Sequence, residues 1–353
     1  MREAFQLGLY TFGELTPNAQ TGKTIGARQR LADILAAAKL ADEAGLDVFA
    51  VGEHHRLDMS VSATPVVLAA IAARTERIRL ASAVTILSTA DPVRVFEDFS
   101  TVDLISGGRA ELIVGRGVFT ESFPLFGYDL ADYDDLFAEK LALLLEINAA
   151  ERVTWQGRFR PALHDAPVSP RPAQGRLPIW VGTGGTPASI ARAGALGLPL
   201  ALANISIPPA KLAPMSDLYR RTGVEADHDA ADLALSIATH MHVQDNSQDA
   251  LNDFYPHYAA YFRNHTAHFR TQVITRADYE ERASPRGALF VGSPQQIIDK
   301  ILYERELFAH QRFLAQIDIG GLPFAGVARV IELFATKIAP VIRNAVGGGS
   351  KAV

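Results

Sequence analysis

The chain has 353 residues, of which 48% are apolar and 21% are charged, a composition typical of a globular protein with a large core. Its formal net charge of −5 and its lack of a basic cluster argue against nucleic acid or an anionic membrane as a partner. The absence of cysteine excludes disulfide bonds, thiol catalysis and cysteine-ligated metals.

Short apolar runs alternate with amphipathic helical patterns along the whole chain. In chain order, the predicted strand and helix pairs are 5–10 with 28–44, 47–51 with 65–75, 78–84 with a helix opened by Asp91 and Pro92, 110–114 with 133–150, 178–181 with 187–195, 199–203 with 209–222, 233–243 with 248–263, and 312–319 with 324–343. A further helix at 294–308 precedes the last strand. Nearly continuous apolar strands are typical of a parallel sheet buried on both faces, and eight such units predict a single α/β protein of the (β/α)8 TIM barrel type.

The alternative architecture is an open, doubly wound sheet, which is disfavoured because no GxGxxG motif follows the first strand. Long insertions interrupt the repeat at 152–176, before strand 5, and at 264–289, before strand 8, and loops of this length are commonly lids or binding elements. We expect one barrel domain at 1–345 and a disordered tail at 346–353, where a Gly-Gly-Gly-Ser run is typical of a flexible end.

An arginine lies between two glycines where the fourth strand ends, in the sequence AELIVGRG. Gly115 and Gly117 let backbone approach a bound group, and Arg116 offers a permanent positive charge to it. A charge beside a buried strand needs an anion or a carboxylate as its partner. Two interpretations follow: a site for a phosphorylated ligand, or an ion pair between Arg116 and a nearby acidic residue that holds a loop.

A glycine-rich turn joins the fifth strand to its helix. The sequence Gly182-Thr183-Gly184-Gly185-Thr186 ends where a helix begins at Pro187, and amides at a helix N-terminus attract anions. No Walker motif is present, and a tight turn without a ligand is the alternative. Because neighbouring strands of a barrel place Arg116 beside this turn, a shared phosphate is the better interpretation.

Two pairs of histidines also lie near strand ends. His54 and His55 follow the second strand, and a histidine there can exchange protons near neutral pH. His240 and His242 share the small-residue face of the seventh strand, which we expect to face the barrel interior and border the pocket. Hydrogen bonding to loop carbonyls is an alternative role for the first pair. A metal site is disfavoured for both pairs because no third ligand at useful spacing is evident.

Several segments resemble the bacterial luciferase-like flavin-dependent oxidoreductases, and they follow one another in the order found in that family. They are AGLDVFAVGEHH (44–55), the long segment 77–129, PIWVGTGGTP (178–187) with GLPLAL (197–202), and VGSPQQIIDKI (291–301). Segments 115–137 and 291–301 are similar to an uncharacterised subgroup of this family. The resemblance implies a (β/α)8 barrel that binds reduced flavin mononucleotide (FMN), which reacts with oxygen and an organic substrate.

The resemblance also implies roles for particular residues. Arg116 corresponds to the flavin-phosphate arginine, His54 to the active-site histidine, and the Ala83–Val84 bond to a non-prolyl cis peptide beneath the flavin ring. The full set expected to bind the cofactor is Ala83, Val84, Thr85, Gly115, Arg116, Gly117, Gly184, Gly185 and Thr186. The residues expected in the substrate pocket are Tyr10, His55, His240 and His242. Luciferase has a reactive cysteine at the position of Gly115, so its particular pocket chemistry is not implied.

These observations predict a flavin-dependent monooxygenase acting on a small organic substrate with O2 and with reduced FMN from a separate flavin reductase. We expect a homodimer, with His54 as the proton-exchanging residue and no metal. No signal peptide or membrane-length apolar run is present, which predicts a cytoplasmic protein. The alternatives are a deazaflavin-dependent hydride-transfer enzyme, which would need donors for a longer acidic tail, a non-catalytic flavin-binding barrel, and a metal hydrolase.

Overall fold

The computed structural model describes residues 5–264 and 273–347. Its strands are β1 (Gln6–Thr11), β2 (Val48–Val51), β3 (Arg79–Ser82), β4 (Thr85–Ile86), β5 (Ala110–Gly115), β6 (Arg152–Trp155), β7 (Leu163–Pro167), β8 (Ile179–Thr183), β9 (Leu200–Ala203), β10 (Leu235–Val243), β11 (Phe290–Gly292) and β12 (Arg312–Gln316). Its helices are α1 (Ala27–Glu43), α2 (Thr64–Ala72), α3 (Pro92–Ser106), α4 (Ser122–Leu125), α5 (Tyr133–Ala149), α6 (Pro187–Ala195), α7 (Pro209–Glu225), α8 (Ser247–Asn264), α9 (Arg276–Ala283), α10 (Pro294–Phe308), α11 (Phe324–Leu333) and α12 (Ala339–Gly347).

Eight parallel strands form a closed barrel in the order β1-β2-β3-β5-β8-β9-β10-β12, and β12 pairs again with β1. The register places Tyr10 of β1 between Ala50 of β2 and Gln316 of β12. This closure confirms the predicted TIM barrel and excludes the open sheet. The carboxyl ends of all eight strands therefore meet at one rim, where the functional residues of such barrels lie.

The two faces of each barrel strand enter different cores. Outward-facing leucine, isoleucine, valine and phenylalanine side chains pack against the surrounding helices in one large cluster. A smaller cluster fills the barrel interior and includes Tyr10, Val48, Ala50, Ala81, Ile113, Trp180 and Leu314. On β10, Ile237 and Met241 belong to the outer cluster and Ala238 to the inner one, so the small-residue face points inward as predicted.

Some predicted boundaries differ from the structure. The predicted third strand at 78–84 is shorter in the structure, where β3 ends at Ser82; a cis peptide bond joins Ala83 and Val84, and β4 follows it, with both β3 and β4 paired to β5. The insertion at 152–176 contains the antiparallel pair β6 and β7, and that at 264–289 contains α9. The last helix passes through a π-helical turn at Phe334–Ile338 and continues to Gly347. The predicted tail lies outside the described residues from position 348 onward.

A buried ion pair closes the amino-terminal end of the barrel. The Arg312 guanidinium donates to both carboxylate oxygens of Glu111, at 2.6 and 3.1 Å, and to Gln6 Oε1 at 2.7 Å. Burial raises the pKa of the Glu111 carboxyl, but the guanidinium groups of Arg312 and Arg79 outweigh it and lower that pKa overall. Arg312 also lies 4.4 Å above the Trp180 ring. These charges are fully used within the fold, at the end opposite the rim.

Replacing Glu111 with alanine leaves the buried Arg312 guanidinium without its carboxylate, so we expect the free energy of unfolding to fall by about 3–5 kcal/mol. Urea denaturation at neutral pH measures the change. Glu332→Ala is the matched control because it removes an exposed carboxylate that pairs with Arg329, and it should change stability little. Equal effects of the two substitutions would show that the buried pair contributes no more than a surface pair.

Within the described residues, every helix falls short of the length and apolarity needed to cross a lipid bilayer.

Candidate active site

The ends of β5 and β8 bring the two halves of the predicted phosphate site to the same part of the rim. These strands pair in parallel, with Val114 opposite Val181. Arg116 follows β5 directly, and the turn at Gly184 follows β8 directly. A cation and the N-terminus of α6 are therefore neighbours at this point of the barrel.

The Arg116 side chain is held by the first turn of α5. Its guanidinium forms an ion pair with Asp134 and lies 5.0 Å from the centre of the Tyr133 ring. The Tyr133 hydroxyl donates to the Gly117 carbonyl oxygen at 2.6 Å. Arg116 is 18% exposed and Asp134 is 68% exposed, so a mostly covered cation faces a well-hydrated carboxylate. The sequence allowed two interpretations of Arg116, an ion pair with an acidic residue or a phosphate site. The structure shows the ion pair, and the predicted phosphate would bind at the same guanidinium.

The turn after β8 has room for a ligand group. A Cβ atom placed on Gly184 would meet no atom within 4 Å. Gly185 has a φ of 107°, which favours glycine, and its amide donates to Thr183 Oγ1 at 3.3 Å. Thr186 precedes α6 without a side-chain cap, and the first amides of a helix have no intrahelical acceptor. The turn therefore presents backbone donors beside open space.

Val84 lies between the ends of β5 and β8, next to the cis peptide bond. A Cβ atom on Gly115 would approach Val84 Cγ2 to 2.7 Å, and one on Gly182 would approach Val84 Cγ1 to 2.5 Å. Any larger residue at either position would displace the valine. Glycine at 115 and 182 thus places Val84 on the floor of the rim between the two strands.

The Glu53-His54-His55 segment follows β2 and is hydrogen-bonded to β4. Glu53 accepts a hydrogen bond from the Ile86 amide at 3.0 Å and contacts His55 Nε2 at 2.8 Å. The His54 ring instead lies between two aromatic rings, with centroids 4.7 Å from Phe12 and 5.4 Å from Phe119. His54 therefore faces the segment that follows Arg116, whereas His55 is fixed by a carboxylate.

The two histidines of β10 have different surroundings. His240 is completely buried, and burial lowers its pKa to about 3 against the smaller opposing effect of a side-chain hydrogen bond with Gln316. His242 Nε2 lies 3.3 Å from an Asp253 carboxylate oxygen, and its ring stacks on Phe254 at 4.8 Å. His240 is thus a neutral group in the interior, and His242 contributes to the packing of α8.

Sequence reasoning missed a polar group on β12 and the residues after it. Gln316 lies opposite Tyr10 and His240 in the register, and its side chain is completely buried. Asp318 accepts from the Thr11 hydroxyl at 2.5 Å, and burial raises the pKa of its carboxyl. The alternation of residues 312, 314, 316 and 318 along one strand face was the signal that would have identified them.

Burial also raises the pKa of the Tyr10 hydroxyl, with a smaller contribution from the negative charge of Asp318. Tyr10, Gln316 and His240 therefore form an uncharged polar layer beneath the rim at neutral pH. In the same two described segments, His, Cys, Asp and Glu side chains form no group of three that could hold a metal ion.

The sequence of the barrel matches a known family. Residues 7–311 match the family model described as luciferase-like monooxygenase. The chain belongs to the luciferase-like monooxygenase family. It is 27% identical over 328 residues to 4-hydroxyprotoasukamycin monooxygenase from Streptomyces nodosus subsp. asukaensis, covering 88% of this chain and 86% of that protein. It is 22% identical to the oxygenase component of the flavin-dependent trigonelline monooxygenase of Acinetobacter baylyi, covering 89% of each.

Solved structures of other proteins have the same fold. Monooxygenase RslO1 from Streptomyces bottropensis superposes with a TM-score of 0.82 at 25% identity, covering 95% of this chain and 99% of that one. The oxygenating constituent of 3,6-diketocamphane monooxygenase from Pseudomonas putida, solved with FMN, gives 0.76 at 18% identity, with 96% and 99% covered. An F420-dependent secondary alcohol dehydrogenase gives 0.75 at 16% identity, with the same coverage. The barrel is therefore shared by structures that contain different flavin-type cofactors.

The neutral state of His240 predicts a pH dependence of stability. The unfolded chain takes up a proton at the ordinary imidazole pKa of 6.5, whereas folded His240 stays neutral until about pH 3. Protonation therefore favours the unfolded chain, and the free energy of unfolding decreases as the pH falls from 6.5 towards 3. Between pH 7.5 and 5, His240→Gln should lose about 2 kcal/mol less unfolding free energy than the unmodified chain. His164→Gln, at an exposed histidine, is the control. Identical pH profiles for all three proteins would contradict a buried neutral imidazole.

Proposed function

We propose that this chain is the oxygenase component of a flavin-dependent monooxygenase that uses reduced FMN, supplied by a separate reductase, and O2 to oxidise a small organic substrate. The observation that carries the proposal is the position of Arg116 beside the open turn at Gly184. Membership of the luciferase-like monooxygenase family, a relative named as an oxygenase component and a structural neighbour solved with FMN support it.

The residues present at the rim fit a phosphorylated flavin. Arg116 supplies a cation, and the turn before α6 supplies backbone amides with free space in front of Gly184. Both groups are suited to a terminal phosphate. Val84 offers an apolar surface next to them, as expected beneath a flat ring. The expected roles of Thr85, Gly117, Gly185 and Thr186 in binding the cofactor remain part of this proposal.

Residues at the rim and residues inside the barrel have different roles in the proposed reaction. Bound reduced flavin supplies the electrons that activate O2 for reaction with the substrate. Arg116 and the turn hold the phosphate, and His54 exchanges a proton at the rim, where its ring lies beside Phe12 and Phe119. His240 and Gln316 offer uncharged donors and acceptors to a polar atom of the substrate from within the barrel.

A deazaflavin cofactor is the second candidate, since a neighbour with the same fold is F420-dependent. One arginine and one helix N-terminus match a single terminal phosphate. A longer acidic tail would require further cations, and the sequence has a net charge of −5 without a cluster of basic residues. FMN is therefore preferred.

Cofactor binding tests the proposal directly. We expect oxidised or reduced FMN to raise the melting temperature of the purified protein, and a deazaflavin to do so less. Arg116→Ala should weaken FMN affinity about 10–100-fold, as expected for a lost charge-assisted hydrogen bond, and change riboflavin affinity little. Arg158→Ala, which removes another arginine beside α5, is the control. No stabilisation by either redox state of FMN would overturn the proposed function.

The role of His54 is tested with a substrate found in a screen of aldehydes, alkanes and ketones against the reduced FMN complex. His54→Asn should lower product formation about 10²–10⁴-fold, while the FMN dissociation constant stays within about twofold of its original value. The pH profile of product formation should lose its dependence on an imidazole. If activity and pH profile are unchanged, His54 is not the proton-exchanging group. Oxygen consumption without product in the unmodified chain would favour a non-catalytic flavin-binding barrel.

A further inference from the structure

The Asp134 carboxylate and a bound phosphate require the same guanidinium, and the inference drawn from this conflict rests on the proposed function. We propose that Asp134 is a specificity-determining residue of the phosphate site, an internal anion that a ligand phosphate displaces from Arg116. The carboxylate weakens the binding of phosphorylated flavin and leaves the binding of unphosphorylated flavin unchanged.

Arg116 keeps its position when Asp134 leaves it. The guanidinium lies over the Tyr133 ring, and the Tyr133 hydroxyl is bonded to the Gly117 carbonyl oxygen at 2.6 Å. These contacts connect the first turn of α5 to the end of β5 without the carboxylate. The cation is only 18% exposed, so it needs an anionic partner in either state.

Asp134 can be displaced at little cost. Its side chain is 68% exposed, so water hydrates the carboxylate once it is released. It lies in the first turn of α5, where the helix N-terminus stabilises a negative charge. Exposed ion pairs contribute little net stability, and a phosphate carries more negative charge than a carboxylate. The exchange therefore favours the phosphate, with an affinity reduced by the competition.

The neighbouring carboxylates have a different cation. Arg158 lies 2.8 Å from an Asp132 oxygen and 3.6 Å from an Asp135 oxygen. Asp135 is 73% exposed and carries the same charge on the same helical turn as Asp134. It is therefore a matched control that separates direct competition for Arg116 from a general change in charge.

Competition of this kind suits a flavin that is exchanged with another protein. A permanently bound cofactor gains from every available contact, whereas a flavin delivered from a reductase must also leave. Asp134 would speed that departure by returning to Arg116 as the phosphate moves away.

The experiment compares the unmodified chain with Asp134→Asn and Asp135→Asn. Dissociation constants for FMN, riboflavin and inorganic phosphate are measured at low ionic strength. Asp134→Asn should bind FMN and phosphate about three- to tenfold more tightly, because it removes an ion pair and a like charge. Riboflavin affinity should stay within about twofold, and Asp135→Asn should resemble the unmodified chain with all three ligands.

Several outcomes would overturn the inference. Unchanged FMN and phosphate affinities in Asp134→Asn, or an equal gain in Asp135→Asn, would exclude direct competition. Weaker FMN binding in Asp134→Asn would show that the carboxylate orients Arg116 for the ligand. Asp134→Ser serves as a second neutral variant if the first folds poorly. If the unmodified chain binds no FMN, the proposed function fails, and the inorganic phosphate titration still decides the competition.

Discussion

Hydrogen bonding between β12 and β1 closes the barrel and determines where every functional residue lies. Since all eight strands are parallel, closure brings their carboxyl ends into one ring and their amino ends into another. Arg116 and the turn at Gly184 are 68 residues apart in sequence, yet the pairing of β5 with β8 makes them neighbours. The proposed anion site thus depends on strand register, and no local sequence motif would form it alone.

The ion pairs at the two ends of the barrel differ in how deeply they are buried. At the amino-terminal end, Arg312 uses both of its terminal nitrogens on Glu111, and the pair is buried on every side. At the rim, Arg116 faces a carboxylate that is 68% exposed. Breaking the first arrangement leaves an isolated charge inside the protein. In the proposed exchange at the rim, the released carboxylate returns to water and a phosphate takes its place, so Arg116 keeps an anionic partner throughout.

The sequence predicted the architecture well because hydrophobic periodicity is a local property. The eight strand and helix units and the inward small-residue face of β10 follow from this periodicity, whereas the cis bond after Ala83, which is also present, was implied only by the family resemblance. Asp134 could not be named as the partner of Arg116, since an ion pair depends on how α5 packs over the end of β5. The antiparallel β6 and β7 inside an insertion also escaped prediction, because their short segments include a proline and exposed residues with weak alternation.

Gln316, the third member of the polar layer beneath the rim, was missed for a related reason. It occurs in a segment with the sequence pattern of a buried strand, and only the barrel register places it beside Tyr10 and His240, which were expected in the substrate pocket. Burial keeps His240 neutral by lowering its pKa to about 3, and it raises the pKa of Tyr10, so neither side chain is ionised at neutral pH. In the proposed function, the charged group of the ligand is recognised by Arg116 at the rim. The interior below it has only uncharged donors and acceptors in this layer, which suit a neutral carbonyl or hydroxyl group and disfavour an ionic one.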